Sequence, residues 1–132
     1  MKFSKVFSVI LMAAMVMFLY IKFPLYASAQ TTAIGFMDKP VSGPSLNGTQ
    51  KVYSWFLDES GVAKIEVLVD GAVVGQADYG DARADVQRFY PEFNNGKAGF
   101  HFTLDTTKFP EGRHTITIRE TGKNGIVTTI LA

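Results

Sequence analysis

The feature that most constrains this chain is the stretch 61–80, GVAKIEVLVDGAVVGQADYG. Ile65, Val67 and Val69 fall on one face of an extended chain and Lys64 and Glu66 on the other. That is the period-2 pattern of a half-buried strand. Asp70-Gly71 follows, and then a second apolar run over 72–77. Asp-Gly between two such runs suits a two-residue type I′ turn, in which both central residues need positive φ. The stretch reads as a β-hairpin that serves as scaffold, its Ile and Val residues facing a core.

Short extended segments recur on either side, at 33–37, 51–57, 99–104, 114–120 and 126–131. Turn material separates them: Gly43, Pro44, Asn47 and Gly48, then 58–61, then Pro110 and Gly112, then Lys123-Asn124-Gly125. The stretch 80–99 breaks the rhythm and reads as a long ordered loop pinned by Phe89, Tyr90 and Phe93. One helical turn over 84–89 fits within it, and Pro91 must end that turn. About seven short strands with no helical period after residue 30 predict an all-β antiparallel sandwich.

Ahead of this domain lie Lys2 and Lys5, an uncharged apolar run over 6–21, and Ala27-Ser28-Ala29 before Gln30. Basic start, apolar run and A-x-A triplet together describe a signal helix cleaved after Ala29. The rival reading is an uncleaved N-terminal anchor. Both put the domain, 30–132, at the cell surface or in the secreted fraction. The formal charge of +1 includes three lysines of the first 29 residues, so ten Lys and Arg face twelve Asp and Glu in the remainder, a net charge of −2. A mildly acidic domain has no long-range attraction for nucleic acid or an anionic membrane. There is no cysteine, which excludes disulfide staples, thiolate metal sites and thiol catalysis.

Eight motifs then follow in order. They are W-F-L-D at 55–58, G-V-A-K-I-E-V-L-V-D-G at 61–71, V-G-Q-A-D-Y-G at 74–80, R-A-D-V at 83–86, Y-P at 90–91, A-G-F-H-F at 98–102, L-D-T-T at 104–107 and E-G-R-H-T-I-T-I at 111–118. In order and spacing the chain resembles the bacterial immunoglobulin-like domains of secreted and cell-surface proteins. Ser54 stands ahead of Trp55 where that pattern would have glycine. The resemblance implies an immunoglobulin-like sandwich without cofactor or catalytic role, associated with wall polymer or a surface protein. A structural spacer, or a stand-alone remnant of a larger wall hydrolase, is the alternative it implies.

Three groups of residues are candidates for chemistry. His101 lies opposite Phe100 and Phe102 and is expected exposed, while His114 shares parity with Ile116 and Ile118 and is expected at the inner edge of its strand with a hydrogen-bonded ring. Neither has a serine at a recognisable spacing, and no G-x-S-x-G occurs, so no catalytic residue is assigned. Asp78, Asp81 and Asp85 could hold Ca²⁺ through oxygens, but Arg83 and Arg88 among them favour Asp–Arg pairing that fixes the loop. Trp55, with Leu57 beside it, is expected in the inter-sheet core, and the loop aromatics are expected to cap one end. A partner-binding surface, if the loop carries one, would use Arg83, Arg88, Tyr90 and Phe93.

Overall fold

The computed structural model describes residues 33–131. The expected signal segment lies outside the described residues. Seven antiparallel strands follow one another: β1 (Ala33–Lys39), β2 (Thr49–Asp58), β3 (Val62–Val69), β4 (Ala72–Asp81), β5 (Gly99–Asp105), β6 (Ile116–Gly122) and β7 (Val127–Leu131). A short helix, α1 (Ala84–Phe89), and a single 3-10 turn at Pro91–Phe93 lie between β4 and β5.

The hairpin forms as its sequence predicts. Its first arm matches the expected bounds, and Asp70 and Gly71 take φ of 51° and 82°. The second arm runs further than the apolar run implied, because it changes partner midway. Ile65–Val69 of β3 pair with Ala72–Ala77 of β4, whereas Asp78, Tyr79 and Asp81 pair with β5, with a register shift around Gly80. The hydrogen-bonded order is therefore β1-β2-β5-β4-β3-β6-β7, with β4 as the corner where the ribbon turns from one layer into the other.

Between the layers lie Met37, Val52, Phe56, Ile65, Val67, Val69, Ala77, Phe100, Leu104, Ile116 and Ile118, all buried. Alternation explains the selection. Val52, Ser54 and Phe56 face inward from β2, as do Ile116, Ile118 and Glu120 from β6. Two of these inward residues are polar and carry buried side-chain oxygens with no hydrogen-bond partner among the described residues: Ser54 through its hydroxyl and Glu120 through both carboxyl oxygens.

Trp55 and Leu57 correct an expectation. They do not enter the inter-sheet core. Opposite parity turns them to the outer face of β2, where Leu57, Val86 and Ala98 form a second buried cluster with Ile34, Trp55, Tyr90 and Phe93 around it. The strand KVYSWFL is apolar on both faces because the other sheet covers its inner face and the β4–β5 connection covers Trp55 and Leu57 on its outer face, while Tyr53 stays exposed.

Candidate functional site

The β4–β5 connection folds over the outer face of the β1-β2-β5 layer, and its side chains show how. Val86 of α1 is buried against Leu57. Tyr90 stacks on Trp55 with ring centroids 5.4 Å apart and planes tilted by 40°. Tyr90 also ends α1, its N–H bonding the Val86 carbonyl at 2.9 Å, one residue before the proline that no helix could pass. Tyr79 pins the far side: its hydroxyl donates to the Phe56 carbonyl at 2.8 Å and accepts from Asn95 Nδ2 at 2.9 Å.

Arg83 is the strap of this arrangement. Its Nε and one terminal nitrogen hold the two oxygens of Asp85 at 2.9 and 2.8 Å, while the other reaches Asp38 on β1 at 2.7 Å. Its stem passes Gly99 of β5, where a Cβ would come within 3.1 Å of the Arg83 Cγ. The side chain thus runs from β5 to β1 across the outer face of β2. The paired guanidinium holds the Asp85 carboxyl down to about 2.

These contacts place the predicted loop residues. Arg83, Tyr90 and Phe93 are turned into the supports of the loop, whereas Arg88 is exposed and Phe89, expected among the pins, is 77% exposed and outside the outer cluster. Asp85 faces Arg83, while Asp78 and Asp81 flank His101, with Asp81 at 2.7 Å from Nδ1 and Asp78 at 3.4 Å from Nε2. The three aspartates therefore do not converge. Among the described residues no group of three or more His, Cys, Asp and Glu could hold a metal ion.

His114 lies before β6, which begins at Ile116, rather than at the strand's inner edge. Its ring is hydrogen-bonded on both sides, Nδ1 to Asp70 at 2.6 Å and Nε2 to the Pro110 carbonyl at 2.7 Å. A carboxylate on one nitrogen and a carbonyl on the other favour the doubly protonated ring, so its pKa is raised. With both nitrogens engaged, His114 has none left to act as a general base.

The accessible chemistry lies beside the strap. On the outer face, cross-strand register aligns Asp78, His101, Tyr53 and Lys39 in one row and Asp81, Gly99, Trp55 and Phe36 in the next. Phe36 is 59% exposed and Tyr53 40%. Neighbouring side chains along one face of a strand stand about 6.8 Å apart. The surface thus presents aromatic rings interleaved with carboxylates, an imidazole and a lysine. Sequence reasoning missed Phe36 and Tyr53 because a strand's parity does not say which face meets solvent. Glu120 was missed although a signal was present, since it shares the parity of Ile116 and Ile118.

An antiparallel seven-strand sandwich whose fourth strand crosses between layers is an immunoglobulin-like architecture. Comparison with known families agrees: the profile described as bacterial Ig domain matches residues 37–118, and the chain belongs to that family. Bacterial Ig domains are common in extracellular and surface proteins. No curated protein and no solved structure matches the chain.

Proposed function

We propose that the chain is a non-catalytic extracellular module that binds wall polymer at the cell surface. The observation that carries this reading is the outer face of β1-β2-β5, where Phe36 and Tyr53 stand exposed beside Asp78, Asp81 and His101. Flat rings stack on the apolar faces of sugar rings, and carboxylates and imidazole accept from or donate to the hydroxyls between them. A strapped and rigid platform also loses little entropy when it binds. The net charge of −2 over residues 30–132 argues against nucleic acid as the ligand.

Sedimentation of the full chain with purified peptidoglycan tests the reading. The wild type is expected in the pellet, and Phe36→Ala with Tyr53→Ala is expected to release it at unchanged melting temperature. If wild type stays in the supernatant and cross-linking on intact cells captures a surface protein, the ligand is protein rather than polymer. With neither, a structural spacer or a remnant of a wall hydrolase remains. Release of labelled wall fragments by the purified protein would overturn the non-catalytic assignment.

A further inference from the structure

Glu120 is wholly buried, at 0% exposure, and neither of its carboxyl oxygens has a hydrogen-bond partner among the described residues. A bare carboxylate at that depth is too costly for a domain of ordinary stability, so something must compensate it. Orphaned buried oxygens of this kind are often explained by a proton, a water or an ion. Burial, with the charge of Asp58 on β2 added, pushes the Glu120 carboxyl up to about 7. Asp58 is itself only 8% exposed. Asp58 continues the inward parity of Val52, Ser54 and Phe56 on β2, as Glu120 continues that of Ile116 and Ile118 on β6.

A second observation comes from the next inward position of β6. Gly122 has no side chain, and a Cβ built there would lie 2.6 Å from Asp58 Oδ2, 2.8 Å from Asn124 Oδ1 and 2.8 Å from Ser60 Oγ. Oxygens of three residues therefore converge beside a backbone position that only glycine can occupy. Asp58 is fixed in this pose, its Oδ1 accepting from the Ser60 N–H and hydroxyl, both at 2.6 Å. Asn124 Oδ1 is fixed by the Ile126 N–H at 2.9 Å. The β2–β3 and β6–β7 turns meet here, joined by the Lys123 N–H to the Gly61 carbonyl at 2.8 Å.

We propose that Asp58, Glu120, Ser60 and Asn124 form a calcium site where these two turns meet. The donors are all oxygen, and two carboxylates balance a divalent charge. Such a set suits a hard cation of flexible coordination and lacks the nitrogen and sulfur ligands preferred by zinc. The site is independent of the wall-binding face, and Glu120 and Asn124 lie beyond the stretch matched by the family profile.

Equilibrium dialysis of the full chain with radioactive calcium, alongside thermal melts in calcium and in chelator near neutral pH, tests the proposal. Wild type is expected to take up one ion per chain below about 1 mM, with a melting temperature about 5 °C higher in calcium. Glu120→Gln and Asp58→Asn should each abolish both effects, while Asp85→Ala, on the other candidate cluster, should leave them. No uptake by the wild type at millimolar calcium overturns the proposal, as does a shift that survives both variants. A wild type that ignores calcium and is stabilised only by acid would show that Glu120 carries a buried proton instead.

Discussion

Ser54 illustrates how much depends on which way one side chain points. It stands between Val52 and Phe56 on the inner face of β2, 2% exposed, with a hydroxyl that no group among the described residues satisfies. Burying a hydroxyl without a partner costs more than the contact of its methylene returns. Ser54→Ala is therefore expected to stabilise the domain by about 1 kcal/mol, read as a higher urea midpoint at unchanged slope. A drop in the midpoint would mean that the hydroxyl is satisfied by a buried water. The serine was visible in the sequence as a departure from the family pattern, but its depth was not. In KVYSWFL both parities are apolar, Val52 and Phe56 on one and Tyr53, Trp55 and Leu57 on the other. Periodicity identifies two faces and leaves open which is inner. The choice is made by Phe100, Ile65 and Ile118, which come from strands distant in the chain.

Elements raise the same question of local against distant information. The bounds of β3 could be read from alternation alone, whereas β4 extends to Asp81 because it leaves β3 for β5, and no local pattern marks a change of partner. The β4–β5 connection was legible as ordered, since Pro91 and its aromatics limit what it can do. Its anchor was not legible, because Arg83 meets an Asp38 that lies 45 residues away. Two variants separate the contributions to its docking. Leu57→Ala removes the centre of the outer cluster, where Leu57 is 1% exposed, and should cost about 2–3 kcal/mol in urea unfolding. Arg83→Ala breaks a partly exposed pair of bridges and should cost only about 1 kcal/mol globally. Its larger effect should be local: amide exchange across α1 and the 3-10 turn is expected to quicken, with the β3–β4 hairpin unchanged. Equal acceleration in the hairpin would show that the strap supports the whole sandwich rather than its outer layer.

Across the whole molecule, charge sets the pH range in which a fold without disulfides holds together. His114 and Asp70 clasp the β5–β6 connection to the hairpin turn, helped by hydrogen bonds of 2.9 Å between Thr115 and Asp70 in both directions. The Asp70 carboxylate, then the Pro110 carbonyl, raise the His114 pKa above its ordinary 6.5. A raised value means that the folded state holds the proton more tightly. The stabilisation is then complete below pH 6.5 and is lost as pH rises through the higher folded value. Carboxylates whose pKa is lowered act in the opposite sense, unlike the buried Glu120, whose raised value acts in the same sense as that of His114. Asp85 is held down to about 2 by Arg83, and Glu66 and Asp105 are lowered by Lys64 and Thr107, so their contributions exist above about pH 4 and fade as pH falls through the folded values. The two limbs predict greatest stability between roughly pH 4.5 and 6.5. Melting temperatures of wild type and His114→Gln across this range separate the clasp from every other titrating group. The variant should lie below wild type under acid conditions, and the two curves should converge as pH rises past the folded His114 value. A constant offset at all pH would instead mean that the ring contributes by packing against Phe109, whose centroid lies 5.9 Å away, and not by its charge.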